Sequence, residues 1–150
     1  MPSYHLAQIN VARAKDHMDS LTMRDFVTRL DDINHLAEHS PGFVWRLKGD
    51  GDNATSIRAF DDPLLLVNLS VWTDLENLKA FVYRTTHAQL LRERHRWFHP
   101  TQVAHQALWW IPAGHTPTLH EAKLKLAHIE RHGPTAEAFG FNASFVQPPV

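Results

Sequence analysis

The chain has 150 residues, with 15 lysines and arginines against 16 aspartates and glutamates, and no cysteine. That length predicts a single domain over 1–150, large enough to bury a core without staples. The near balance of charge excludes the basic excess of a general nucleic-acid binder, and the lack of cysteine excludes a disulfide framework, a thiol nucleophile and a cysteine-based zinc site. The opening residues MPSYHLAQINVA carry no basic segment followed by a long apolar core. No apolar run approaches the roughly 20 residues that span a bilayer. The expectation is a soluble, cytoplasmic protein with neither a membrane nor a nucleic acid as partner.

Tyr4–Val11 alternates as a strand, because successive strand side chains point to opposite faces. Ala7, Ile9 and Val11 share one face; Leu6, Gln8 and Asn10 share the other. Thr22–Asp25 has capping-box form, Phe26, Leu30, Ile33 and Ala37 follow at helical spacing, and Ser40-Pro41-Gly42 ends that helix. Gly42–Leu47 reads as the next strand, with Phe43, Trp45 and Leu47 opposite Val44 and Arg46. Gly49–Asn53 is turn chemistry, and Thr55–Phe60 is a candidate short strand.

The run Leu64–Trp72 is the strongest strand. Leu65, Val67, Leu69 and Val71 form a fully apolar face, and Leu64, Leu66, Asn68, Ser70 and Trp72 form a mixed one. Thr73–Glu76 is a second capping box, followed by the stripe Leu75, Leu78, Phe81 and Val82. Thr86–Gln89 resembles another cap, so an interruption near Arg84–Thr86 is expected to turn Tyr83 and His87 away from that stripe. Arg92–Trp97 is dense in charge. Gln106–Pro112 is a fourth strand, Thr118–Glu121 a further capping box, and Leu119, Ala122, Leu126 and Ile129 mark a last helix ending at Gly133-Pro134. Ala136–Phe141 is a short strand or an ordered tail.

The order is βαββαβ with a helical extension, the pattern of a ferredoxin-like α+β domain. The helices are expected on the apolar sheet face. The face with Gln8, Asn10, Arg46, Asn68, Ser70, Trp72 and Trp110 then needs a cover, either a ligand or a second subunit packed sheet to sheet.

The segments GFVWRL at Gly42, NLSVW at Asn68, FVYRTTH at Phe81, RHRWF at Arg94, WWIPAGHTPTLHEA at Trp109 and GPTAEAFGF at Gly133 together resemble an uncharacterised bacterial family. It is the domain of unknown function numbered thirty-two ninety-one. The resemblance runs from about Leu6 to Phe141 and implies a dimeric α/β barrel, the kind shared by antibiotic-biosynthesis monooxygenases and haem-degrading monooxygenases. It implies no reaction, since fold does not fix function.

His87, with Tyr83 one turn earlier, is the first candidate for a general base or ligand, because a neutral imidazole accepts protons near neutral pH. Local capping or packing is its structural alternative. Asn10, Asn68 and Arg46 are suited to orienting a substrate or stabilising negative charge beside Ser70, with Trp72 and Trp110 as apolar walls. Arg94 is placed to meet a substrate anion or a buried carboxylate, the other two arginines of its turn facing solvent. His115 is either a pocket residue or a hydrogen-bonded loop anchor, with Glu121 six residues on.

Haem-degrading proteins of this fold use an asparagine, a tryptophan and a helical histidine. Asn10, Trp72 and His87 are the nearest matches, although the spacing from Trp72 to His87 departs from that motif. The pairs His35/His39, His95/His99 and His128/His132 have the i,i+4 spacing of metal ligands but sit near helix carboxyl ends, where histidine also favours the dipole. Without an HExxH motif they read as surface residues and not as a metal site. The expected function is binding of a hydrophobic or aromatic small molecule, with oxygenase-like or proton-transfer chemistry and no cofactor. The alternatives are a non-catalytic ligand-binding or interaction module, and a haem-binding or haem-degrading protein.

Overall fold

The two runs that alternate most cleanly pair at the centre of the sheet. In the computed structural model, which describes residues 3–49, 55, 57–58, 60–100 and 105–141, β1 (Tyr4–Arg13) lies antiparallel to β3 (Leu65–Trp72), with Leu6 opposite Trp72 and Arg13 opposite Leu65. β2 (Phe43–Arg46) adds to the other side of β3, and β4 (Gln106–Pro112) to the other side of β1. The order β2-β3-β1-β4, antiparallel throughout, makes this the ferredoxin-like α+β fold with a helical extension.

β1 and β2 point the same way with β3 between them, and α1 (Arg24–Glu38) crosses from one to the other. β3 and β4 are likewise joined across β1 by α2 (Leu75–Arg84), α3 (His87–Arg92) and a 3-10 turn at Arg94–Arg96. Right-handed crossovers put both connections on one face of the sheet. There Ile33 and Ala37 of α1, with Leu78 and Phe81 of α2, pack on Leu6, Trp72 and Leu108. The other face holds Ala7, Ile9, Val67, Leu69, Val71, Trp109 and Ile111 under Ala122 and Leu126 of α4 (Leu119–His132).

This reverses the face assignment made from hydropathy. α1 and α2 cover the mixed face, and the dry face goes to α4. Periodicity tells which side chains share a face, whereas crossover handedness decides which face the first two helices take. On the dry face Leu47, Ile57 and Phe60 pack against the same cluster.

β2 also departs from strict alternation. Phe43 sits opposite Trp72 and Trp45 opposite Val71, so Val44 is the extra residue of a bulge. Phe43 therefore joins Arg46 on the α1/α2 side, while Trp45 and Leu47 pack with the dry face.

The helix starts follow the sequence in part. Thr118 accepts from the Glu121 N–H at 3.1 Å and caps α4 as expected. At α2 the cap is Asp74 and not Thr73, its carboxylate accepting from the Asn77 N–H at 2.8 Å. At α1 the cap position is Met23, whose side chain makes no capping bond, so Thr22 does not cap. The expected interruption between α2 and α3 is present, but Thr86 makes no side-chain cap. Thr85 instead donates its hydroxyl to the Phe81 carbonyl and accepts from the His87 N–H.

Ala136–Phe141 is an ordered tail of isolated bridges; Phe139 exchanges backbone hydrogen bonds with Leu108 and covers the edge of β4. Asp50–Asn53 of the expected turn lies outside the described residues. So do Ser56 and Ala59 of the candidate strand, and residues 55, 57, 58 and 60 are not in a strand. Among the described residues no helix is long and apolar enough to cross a membrane.

Candidate functional site

Two apolar clusters occupy the ends of the face beneath α1 and α2. One gathers Leu6, Trp72, Phe81 and Leu108; the other gathers Ala14, Met23 and Trp97 with Leu64 and Phe98. Leu90 of α3 packs against both. Between them, the strands set a belt of polar side chains, because register places Arg46 and Gln8 on either side of Ser70, and Asn68 and Gln106 on either side of Asn10.

The belt is connected. Trp72 Nε1 donates to Ser70 Oγ at 3.0 Å, and Gln8 Nε2 donates to the same oxygen at 2.8 Å and to Asn68 Oδ1 at 2.6 Å. Gln8, Ser70 and Arg46 are only 5%, 7% and 8% exposed, and Trp72 is 1% exposed. Bonding inside the belt offsets the cost of burying these groups, about 1–3 kcal/mol for each one left unpaired. Asn68 ends the chain in solvent and Asn10 is half-buried, so a dry polar network opens outward at one side. At the β2 side, Arg46 reaches Glu38 of α1 at 3.5 Å, and Lys48 reaches the same carboxylate at 3.7 Å. A groove of about 480 Å³ lined by Glu38 and residues 43–48 opens there.

The belt thus unites Asn10, Arg46, Asn68, Ser70 and Trp72. Trp110 stands on the same face, opposite Leu6 and half-buried, with Trp109 and Ile111 on the α4 side. The proton-handling pair is arranged differently. His87 packs on Phe81, ring centroids 5.1 Å apart, and Phe81 in turn stacks on Trp72 at 5.2 Å. His87 Nδ1 lies 3.3 Å from the Val82 carbonyl. Desolvation lowers its pKa and outweighs that bond, so the ring is neutral near pH 7. Tyr83 is 52% exposed and packs edge-on against Phe141, so its neighbour is not His87.

Asn10, Trp72 and His87, the nearest matches to the haem-protein residues, are not gathered around one space. The Phe81 ring stands in contact with both Trp72 and His87, so the tryptophan and the histidine do not face each other across an open space.

Arg94 is exposed, and the ion pairs of its turn belong to Arg96, which holds Asp25 at 2.5 Å and Glu93 at 3.0 Å. Arg29 completes the set at 2.6 Å from Glu93, and its hydrogen bond is the first cause that holds the Glu93 carboxyl below its ordinary range. His115 is the loop anchor: its Nε2 lies 2.8 Å from Glu121 Oε1, while Trp109 Nε1 donates to Glu121 Oε2 at 2.9 Å. Burial works to raise the Glu121 pKa, but the bonds from His115 and Trp109 prevail and lower it. This anchor stands on the α4 side of the sheet, away from the belt.

The histidine pairs make local contacts. His39 Nδ1 meets the His35 carbonyl at 2.8 Å, His128 Nε2 meets Thr135 Oγ1 at 2.7 Å, and His95 and His99 are exposed. Gln8, which joins two other belt members, and Glu38, which meets Arg46, are the residues that sequence reasoning left out of the site. The parity of Gln8 with Asn10 was the available signal for the first. Nothing local marks Glu38, because its role depends on where the end of α1 meets β2.

A family model described as a domain of unknown function (DUF3291) matches residues 5–150. No curated protein matches the chain. Among solved structures, the chain is similar to the NE2512 protein of unknown function from Nitrosomonas europaea, with 13% identity, a TM-score of 0.48, and 77% of this chain and 94% of that one covered. It is also similar to a provisionally assigned antibiotic biosynthesis monooxygenase from the same organism, with 14% identity, a TM-score of 0.45, and coverage of 77% and 92%.

Proposed function

The protein belongs to the DUF3291 family, which brings no reaction with it, and we propose from the geometry that it binds a small hydrophobic or aromatic molecule at the polar belt under α1 and α2. The observation that carries this reading is the exposed Asn68 at the end of a hydrogen-bonded chain whose other members are buried. Sheet interiors beneath two helices are ordinarily filled with apolar side chains. A connected amide and hydroxyl row there, open to solvent at one side and flanked by aromatic clusters, suits a ligand with a polar head and an apolar body. A ligand screen by thermal shift tests it. Compounds that stabilise the wild type should lose their effect in Asn68→Ala, each shift being read against that variant's own unliganded melting temperature, which falls because Gln8 Nε2 loses an acceptor; unchanged shifts would remove the belt as the site.

Within this reading, cofactor-independent oxygenase-like or proton-transfer chemistry is the finer proposal. Its support is the set of amides and the Arg46 guanidinium, which suit an oxyanion that develops on a bound substrate. His87 stands one aromatic ring behind Trp72, so its Nε2 would act on a substrate that enters from the α2–α3 side. Turnover of a screened ligand in air that survives both Asn10→Ala and His87→Ala would remove these roles. Cytoplasmic location and a homodimer belong to the same proposal. A two-fold contact would use helix or edge surfaces, since helices cover both sheet faces, and sedimentation that gives a monomer at every concentration would dismiss it.

A further inference from the structure

A second cleft, of about 360 Å³, opens where β1 ends and β3 begins, and it shares no lining residue with the belt. One wall is the loop after β1, with His17, Met18 and Asp19; the other is the segment leading into β3, with Ile57, Arg58 and Leu64. Hydrogen bonds hold each wall. The His17 N–H donates to Asp16 Oδ1 at 2.8 Å, and the His17 carbonyl accepts from the Ser20 hydroxyl at 2.7 Å and the Ser20 N–H at 3.0 Å. On the other wall, Asp62 accepts from the Leu64 N–H at 2.9 Å and pairs with Arg13 at 2.7 Å. The Ala14 N–H donates to the Leu64 carbonyl at 2.7 Å and ties the two segments together. The lining is apolar where the core reaches it, Met18 and Leu64 packing on the cluster of Trp97 and Ile57 on the dry face.

The charged groups of the cleft are not equally free. Asp62 is committed to Arg13, whose hydrogen bond is the first cause that holds its carboxyl below the ordinary range. Arg58 and Asp19 are exposed, and among the described residues neither has an ion-pair or hydrogen-bond partner. They do not pair with each other either, so one cleft presents an uncommitted cation, an uncommitted anion and an apolar surface. We propose that it binds a small zwitterion with an apolar body, the chemistry of an apolar α-amino acid. Arg58 takes the carboxylate, Asp19 takes the ammonium, and the side chain lies on Met18, Ile57 and Leu64. A simple carboxylic acid would answer Arg58 and bring its charge up to Asp19, and a simple amine would do the reverse. The volume suits so small a molecule, since ligand pockets run from roughly 300 to 1,000 Å³. This site stands or falls independently of the belt.

The test titrates phenylalanine, hydrocinnamate and phenethylamine, which share a skeleton and differ in the charges they carry, into the full-length protein labelled at its methionine methyl groups. Met18 lines the cleft and Met23 is fully buried, so by nuclear magnetic resonance the first methyl reads binding and the second, compared between unliganded proteins, reads the fold. Phenylalanine should move the Met18 methyl with at least tenfold higher affinity than either singly charged compound, while the indole N–H of Trp72 in the belt stays where it is. Arg58→Gln should weaken phenylalanine and hydrocinnamate at least tenfold and leave phenethylamine unchanged. Asp19→Asn should weaken phenylalanine and phenethylamine and leave hydrocinnamate unchanged. Both replacements are at exposed positions and should keep the Met23 methyl in place. Either singly charged compound binding as tightly as phenylalanine would overturn the zwitterion site on the wild type alone, whatever the variants do. Phenylalanine binding that ignores either substitution, a ligand that moves Trp72 and leaves Met18 alone, or no shift at Met18 with any of the three at millimolar concentration would overturn it as well.

Discussion

The two faces of the sheet solve burial in opposite ways. Beneath α4, contact is made by Ala7, Ile9, Val67, Leu69, Val71 and Ile111, with Trp109 tied by its indole N–H to Glu121. Beneath α1 and α2, the same strands interrupt their apolar clusters with Gln8, Asn10, Asn68 and Ser70. The first arrangement draws on area removed from water, worth about 25 cal/mol per Å². The second gives up some of that area for polar groups whose mutual bonds roughly cancel their desolvation. The exchange gives up little or no stability, and the proposed binding role supplies a reason for it.

Substitutions can break this contrast or sharpen it. The largest effect is expected for Trp109→Ala on the dry face, which removes a 2% exposed side chain and takes the indole donor from Glu121 Oε2. The loss should be about 3–5 kcal/mol in chemical denaturation. Ser70→Ala should cost less, about 1–3 kcal/mol by the same measurement, chiefly because the buried Trp72 N–H loses its acceptor. If the belt substitution proves the costlier of the two, the distinction between the faces fails.

A smaller effect separates real caps from apparent ones. Thr118→Ala should lose about 1 kcal/mol, since the hydroxyl satisfies a helix N–H, whereas Thr22→Ala should stay within roughly 0.5 kcal/mol. Thermal melts of the two variants check the difference.

The smallest effect is in the pH dependence. Burial lowers the folded-state pKa of His87 below the 6.5 of a free histidine, so the unfolded chain binds more protons as pH falls through that value. Stability should therefore decline from about pH 6.5 down to the lowered folded pKa, and the decline should be shallower in His87→Asn. Parallel slopes for the two proteins would show that His87 does not titrate differently on folding.

Much of the architecture was legible because it rests on local pattern. The alternation in Tyr4–Val11 and Leu64–Trp72 located the paired central strands, and the Thr118 box located α4. The break near Thr86 was visible as a hydroxyl-rich step inside a helical pattern. What was illegible depended on chirality or on distance. Hydropathy assigned α1 and α2 to the driest strand face, and the handedness of the crossovers assigned them to the other. The membership of Asn10, Asn68, Ser70 and Trp72 in one row followed from parity alone. The separation of Tyr83 from His87 did not, because the break at Thr85 decides where each ring goes.

The extra residue in β2 has a bearing on how relatives of this chain should be aligned. Val44 shifts everything after it by one position, and without that shift Arg46 would stand opposite Leu69, its guanidinium aimed into hydrocarbon. Which side of the sheet receives the charge is thus fixed by the bulge together with the count of residues between Gly42 and Arg46. A homologue that loses Val44, and the bulge with it, would keep its arginine opposite Ser70, whereas one that keeps every residue in a regular strand would turn the arginine to the other face. In this strand a one-residue gap at the bulge preserves the chemistry that an ungapped regular strand would lose.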